Sequence, residues 1–346
     1  MKKLNVIAID LAKNVFQVCK TDYLGTVFFN KTMSRNALKE LLVKEKVSVV
    51  AMESCSGAHY FARHAKENGH TVKSISARSV KAFRQGQKTD ANDALAIAVA
   101  ARQPHIKLSR VITLEEQCLQ SMECMRDLLV KQKVSLSNQL RSILLDLGYA
   151  IPQGDSQLKQ SIPGILEDAE NDLSIPFRSV LSCLWQRFLK TIEEIADVEK
   201  TLFREVRQDD TCQRLQALEG VGPVGAIALR IVLSNPEHFK NGREASACVG
   251  VTPVQHSSGG KEKIGSISRL SGHNKLRSHL FKGALAVIRS LEKRPCRTPK
   301  EVWLKDLVAR RGKKVAAIAL ANKNVRTAYA LIKQNKEYKP QLLIAA

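Results

Sequence analysis

Aromatic side chains are scarce: ten Phe, five Tyr and two Trp in 346 residues. So few flat rings leave little from which to build a stacking platform for single-stranded bases. Long apolar runs are missing as well. The start, MKKLNVIAIDLAKN, holds an apolar run of only Val6–Ile9 before Asp10 interrupts it, so neither a secretory leader nor a membrane span is expected. The eight cysteines are scattered, with no CxxC pair and no His-rich partner motif. That pattern excludes a zinc ribbon and predicts reduced thiols in a cytoplasmic protein. Wholesale disorder is excluded too, because 44% hydrophobic and 25% charged residues are ordinary globular values.

Negative charge is the other scarcity, and it is unevenly distributed. Lys and Arg total 55 against 33 Asp and Glu, a net charge of +22. Residues 1–110 carry +11, residues 111–219 carry −6, and residues 220–346 carry +17. A solubility device would spread its charge. Two basic lobes around an acidic spacer suit a protein whose lobes both meet a polyanion. With aromatics so few, Lys and Arg are expected to track a double-stranded DNA backbone rather than read stacked bases. A nucleic-acid partner places the protein at the nucleoid, with no membrane role.

The first 110 residues read as α/β. Asn5–Asp10, Val15–Thr21 and Thr26–Thr32 are strand-like, and Ser34 caps a helix reaching Lys46. Val47–Glu53 and Thr71–Ala77 are further strands, with a helix over Gly57–Gly69 between them. Asp90–Arg102 is an alanine-rich helix capped by Thr89. Three strands, helix, strand, helix, strand, helix is the element order of the ribonuclease H-like fold. Residues 111–210 change character. Leu114–Leu147 is one long helix with a seam of Leu114, Cys118, Met122, Met125, Leu129 and Val134. A Pro- and Gly-marked break over Ile151–Gly164 follows, then a second long helix, Pro176–Val206. The pair forms either an intramolecular hairpin or a coiled coil that assembles dimers or tetramers. Residues 211–346 open on LQALEGVGPVGAIALRIVL, a helix–hairpin–helix-like pattern. There Gly220 and Gly222 permit a tight turn and expose N–H groups to a phosphate.

Four carboxylates stand out by position. Asp10 and Glu53 end apolar strands, where α/β sheets place functional groups. Asp90 and Asp93 are three apart at a helix start and share a face. These are four of only eight acids in the segment, a donor set suited to Mg2+ or Mn2+ in phosphodiester chemistry. A second polar constellation is His256-Ser257-Ser258-Gly259-Gly260-Lys261-Glu262-Lys263, followed by Arg269, Lys275 and Arg277. Glycine-flanked serine with nearby cations offers an accessible hydroxyl and positive charge for a phosphate. The residues alone equally fit a solvated Ser/Gly loop.

IDLAKNVF, MES and KTDANDA, followed by LEGVGPVGAIALR, GVTP and SSGG, resemble in residue and order the DEDD-type insertion-sequence transposases related to the Piv DNA invertase. The resemblance covers almost the whole chain. It implies a RuvC-like domain over residues 1–110 with Asp10, Glu53, Asp90 and Asp93 as the metal-binding set. It further implies a long-helix spacer over 111–210 and a mainly helical transposase domain over 211–346. Counted from Thr252-Pro253, the family's nucleophilic serine falls on Ser258, with Ser257 the neighbouring alternative. The stretches Ser54-Cys55-Ser56-Gly57 and Gly259-Gly260-Lys261 depart from the family pattern. The implied activity is site-specific recombination of an insertion sequence through a phosphoserine link, guided by a structured bridge RNA. Two rivals compete: a RuvC-like junction nuclease using water, and a non-enzymatic basic nucleic-acid-binding protein.

Overall fold

Strand β1 (Val6–Asp10) shows why the first part of the chain folds as a sheet covered on both faces. Successive side chains alternate sides. Val6 and Ala8 enter one core with Ile75, Ile97 and Ala98, while Ile7 and Ile9 enter another with Phe16, Leu38, Met52 and Phe61. A strand buried on both sides reads as an unbroken apolar run, and VIAI is one. In the computed structural model, which describes residues 3–267 and 273–341, the chain falls into two compact units, 1–117 and 118–346.

In the first unit β1 is followed by β2 (Val15–Thr21), β3 (Val27–Ser34), α1 (Arg35–Lys44), β4 (Val49–Glu53), α2 (Ala58–Glu67), β5 (Thr71–Ile75), the short α3 (Ala77–Lys81), α4 (Asp90–Arg102) and β6 (Leu108–Ser109). They build a six-stranded sheet in the order β3-β2-β1-β4-β5-β6. β1 runs antiparallel to β2 and parallel to β4, with Ile9 beside Met52. The two acid-ended strands therefore lie side by side and finish at the same edge. Ser34 caps α1 and Thr89 caps α4, each accepting a backbone N–H at 3.3 Å. Helix α1 stops two residues short of the expected Lys46, and α4 occupies the predicted range. Its buried alanines, Ala94, Ala98 and Ala101, allow close approach to the strands.

Among the described residues the second unit is helical apart from one hairpin. Its elements are α5 (Leu114–Asp146, begun at the end of the first unit), α6 (Asp155–Glu167), α7 (Ile175–Gln208), α8 (Asp210–Gln216), α9 (Pro223–Leu233), α10 (Gly242–Val249), β7 (Pro253–Ser258), β8 (Lys261–Ile267), α11 (Asn274–Leu291), α12 (Pro299–Arg311) and α13 (Lys313–Gln334). Helix α7 returns along α5: Leu140 and Leu144 share a core with Leu181, Trp185 and Phe188, and Arg126 pairs with Glu199 at 2.7 Å. The long helices thus form the intramolecular hairpin. The expected α5 seam lies only partly inward. Leu129 is buried, whereas Leu114, Met125 and Val134 are about half exposed or more.

The break expected at 151–164 is corrected by α6, which runs through Pro163. Proline removes one backbone donor and ordinarily interrupts a helix. Here Leu158 and Ile162 are buried against the α5–α7 core, which holds the helix in place. Arg178 of α7 also donates to the carbonyls of Leu166 and Asp168 at the end of α6, at 2.9 and 2.6 Å. The polar stretch after Thr252, compatible in sequence with a loop, is the β7–β8 hairpin. A second core joins α11, α12 and α13 through Ile288, Leu304, Ala317 and Leu320.

Candidate functional site: four carboxylates and an exposed serine

Asp10 is the last residue of β1 and Glu53 the last of the adjacent β4. Helix α4 packs across β1 and β2 and brings Asp90 and Asp93 on its first turn. The helix start is tethered from the strands below. Gln17, opposite Asp10 in the β1–β2 register, donates through Nε2 to Asn30 Oδ1 at 2.7 Å, and Asn30 Nδ2 donates to the Ala91 carbonyl at 2.9 Å. Gln17 is buried, so its amide needs this partner. Sequence reasoning missed both amides, because neither Gln17 nor Asn30 belongs to a motif and their link spans α4 to β3.

Asp10 is the acid on which burial and the neighbouring charges act. Burial pushes the Asp10 carboxyl from its ordinary 3.8 up to about 6, and the charges of Asp93, Asp90 and Glu53 push the same way while Lys88 opposes them. Burial and the same two charges, Glu53 and Asp10, raise the Cys55 thiol. Arg84 Nη1 lies 3.3 Å from Asp93 Oδ1. Two cations, Arg84 and Lys88, offset four carboxylates imperfectly, and a divalent cation would relieve the remaining repulsion. The donor set is all oxygen, as hard Mg2+ or Mn2+ requires.

Ser258 ends β7, and Gly259 and Gly260 form a two-residue turn to β8 with φ of 56° and 77°. Two consecutive positive φ angles define the hairpin turn whose twist matches its strands, and glycine adopts them without a Cβ clash. Ser258 pairs with Lys261, Ser257 with Glu262 and His256 with Lys263. Both serines are exposed. They point to opposite faces of the hairpin. Gln255 Nε2 donates to Ser257 Oγ at 3.4 Å, while Ser258 Oγ has no hydrogen-bond partner among the described residues.

The remaining sequence-predicted residues divide. Gly222 is exposed at the start of α9 with open space above it, as an approaching phosphate would need. Gly220 is packed instead against Gly283 of α11. Lys261 and Lys263 are exposed on β8. Lys275 is engaged, its ammonium 3.4 Å from Asp127 and 3.1 Å from the Cys124 sulfur. Arg277 braces the Gly250 carbonyl and Asn274 Oδ1 at 3.3 and 2.6 Å. Arg269 lies outside the described residues. A separate group, Glu123, Asp127 and His279, brings three possible metal-ligand atoms within 4.8 Å of one another. Lys275 already neutralises Asp127 there, and His279 Nε2 meets Glu123 Oε1 at 3.2 Å, so the group also serves as a polar clamp between α5 and α11.

A sheet ending in paired acids, joined to a basic helical unit, has clear relatives. Residues 7–148 match the model of a DEDD transposase of the IS110 type, and residues 212–298 match the transposase IS116/IS110/IS902 family. The transposase for insertion sequence element IS1111A from Coxiella burnetii is 34% identical over 98% of this chain and 92% of its own length. A probable family 20 transposase from Pseudomonas aeruginosa is 36% identical over 97% of this chain and 99% of its own. The transposase for insertion sequence element IS1328 from Yersinia enterocolitica is 32% identical over 96% and 98%. The chain belongs to the DEDD-type, IS110/IS116-family insertion-sequence transposases and is a DNA-rearranging enzyme. Among the described residues no helix is long and apolar enough to cross a membrane.

Proposed function

We propose that the protein recombines an insertion sequence with DNA through a covalent phosphoserine link, with Ser258 as nucleophile and Asp10, Glu53, Asp90 and Asp93 as a divalent-metal set. The observation that carries the metal assignment is the placement of the four acids, Asp10 and Glu53 at the ends of adjacent strands and Asp90 and Asp93 on the first turn of the helix packed across them; burial, with the charges of the other three acids adding to it, lifts Asp10 to about 6. Mg2+ or Mn2+ bound there would supply positive charge for the phosphoryl oxygens and favour ionisation of the attacking hydroxyl. The chain's own contribution is positional. β1 and β4 fix Asp10 and Glu53 side by side, and the Gln17–Asn30 link holds the first turn of α4 over them. The Gly259–Gly260 turn presents Ser258 without steric cover.

In the proposed step Ser258 Oγ bonds to phosphorus, its proton leaves to a base, and the bond from phosphorus to a deoxyribose oxygen breaks. The phosphoserine ester retains the bond energy, and the freed hydroxyl of a second strand reverses the step to rejoin DNA. On this reading the first unit is a RuvC-like, ribonuclease H-like domain. The strand order β3-β2-β1-β4-β5 with helices on both faces supports it. A bridge RNA is the proposed guide: base pairing would select donor and target, and the protein would hold backbone and shape. Assembly into a dimer or tetramer belongs to the same proposal, supported by the exposed Leu114, Met125 and Leu128 of α5.

One observation favours a second reading. Ser258 Oγ makes no hydrogen bond to a base among the described residues, and a metal-dependent junction nuclease using water would not need that serine activated. A covalent-trap assay separates the two. Protein, Mg2+, the element's junction DNA and its flanking transcript are mixed, denatured and resolved for a protein–DNA adduct. The recombinase forms an adduct that Ser258→Ala and Asp10→Ala abolish and Ser257→Ala retains. Free nicked DNA with no adduct, unchanged by Ser258→Ala, would establish the nuclease.

A further inference from the structure

A pocket of about 680 Å3 lies between the start of α10 and one face of α13, and its charged lining residues, Arg243, Lys323 and Arg326, are all cations. Among the described residues none of the three forms an ion pair with a carboxylate. Acids around it have other partners: Glu219 binds Lys300 at 2.6 Å, and Glu244 Oε2 accepts from the Lys240 backbone N–H at 2.8 Å.

The pocket is built rather than accidental. Lys323 and Arg326 are three apart on α13 and share a face. Lys323 Nζ stands 4.2 Å over the Trp303 ring, a cation–π contact that fixes where the ammonium sits. Gly242 lets α10 begin directly on α13, since a Cβ there would meet Arg326 Cα and Cβ at 3.3 Å. That approach brings Arg243 beside the two α13 cations. The N–H groups at the start of α10 are not free for a ligand, because Asn241 Oδ1 accepts those of Arg243 and Glu244 at 2.9 and 3.1 Å. Binding therefore falls to the cationic side chains, since the Thr327 hydroxyl on the same wall donates to the Lys323 carbonyl at 3.0 Å.

Converging like charges repel one another unless an anion joins them. Two guanidiniums and an ammonium, with the lining Tyr329 ring buried, supply the donors that phosphate oxygens accept from. We infer that Arg243, Lys323 and Arg326 form a docking pocket for the phosphodiester backbone of duplex DNA. The inference rests on the proposed recombinase reading for the choice of DNA. None of the three residues was singled out by the sequence, because they come from two helices about eighty residues apart.

The test is the salt dependence of binding to a 30-base-pair mixed-sequence DNA duplex, followed by fluorescence anisotropy, for the full chain. Each phosphate contact removed lowers the slope of log K against log salt by about 0.9. Arg243→Gln/Arg326→Gln is expected to reduce the slope by about 2 and affinity at 100 mM salt by about 10-fold or more, with the melting temperature unchanged. Lys323→Gln is expected to reduce the slope by about 1. Lys159→Gln/Lys200→Gln, the same charge change on exposed sites of α6 and α7, is expected to leave the slope at the wild-type value. An unchanged slope in the pocket variants, an equal loss in the control, or a loss confined to an RNA duplex would overturn the inference. Running the covalent trap on the same preparations keeps the two readings apart. Adduct formation with an unchanged slope removes the pocket alone, and a pocket-dependent slope without any adduct supports the pocket and removes the serine chemistry.

Discussion

Gly220 and Gly283 meet backbone to backbone: a Cβ on Gly220 would lie 2.6 Å from the Gly283 carbonyl oxygen, and one on Gly283 would overlap the Gly220 carbonyl. The turn between α8 and α9 therefore rests on α11 without an intervening side chain. Gly220 also has φ of 78°, which adds backbone strain to any replacement. Gly283→Ala is expected to cost about 2–3 kcal/mol, read as a shift in the urea midpoint. Gly222→Ala, in open space with φ of −83°, is expected to stay within about 0.5 kcal/mol of wild type. The two substitutions separate glycine as packing from glycine as phosphate access. Only Gly222→Ala should weaken DNA binding in a protein that remains folded.

Asp10 trades stability for its site. Its folded-state carboxyl, near 6 against an ordinary 3.8, takes up a proton in the native protein before the unfolded chain does. Metal-free stability should therefore rise as pH falls from about 6 towards 4 on account of this group, and ionised Asp10 is a cost at pH 7. Asp10→Asn is expected to stabilise the metal-free protein by about 1–2 kcal/mol at pH 7. On the proposed metal set, Mg2+ is expected to raise the melting temperature of wild type and to leave that of Asp10→Asn unchanged, measured by differential scanning calorimetry with and without Mg2+.

Asn30 offers a test of positioning. Asn30→Ala removes the tether to Ala91 and leaves the Gln17 amide without its acceptor. Mn2+ affinity, followed by titration calorimetry, is expected to fall several-fold, with about 1 kcal/mol of stability lost. An unchanged Mn2+ affinity would detach the link from the carboxylate site.

Glu301 joins the end of α11 to the start of α12. It accepts from Arg294 at 2.6 and 3.1 Å and from the Arg297 backbone N–H at 2.6 Å, and the Arg294 guanidinium holds its carboxyl below the usual 4.5. A lowered carboxylate stabilises the fold above its unfolded value, and that contribution is lost as pH falls through the folded one. Glu301→Gln is expected to cost about 2 kcal/mol at pH 7. The gap to wild type should close below pH 4.5, measured by urea unfolding at several pH values.

The first unit was largely legible because burial wrote it. Val6–Ile9 and Val49–Met52 are apolar on both faces, so an acid at the end of each stands out. Thr89 and the alanines of α4 mark a helix by capping and propensity. The β7–β8 hairpin was not legible, since its side chains are exposed on both faces and carry no alternation. Its one local signal was Gly259-Gly260, a pair suited to a two-residue turn. Pro163 misled for the opposite reason. A local breaker was outweighed by the burial of Ile162 and by Arg178 reaching back to the end of α6, and both depend on residues distant in sequence. The α10–α13 pocket was hidden for the same cause.

The hairpin that carries Ser258 is held by its turn and ladder, with almost no buried side chain beneath it. Such two-stranded ribbons are marginal by themselves and open far more readily than a packed core. On the proposed serine chemistry, warming should then abolish adduct formation at temperatures where calorimetry still reports the packed cores folded.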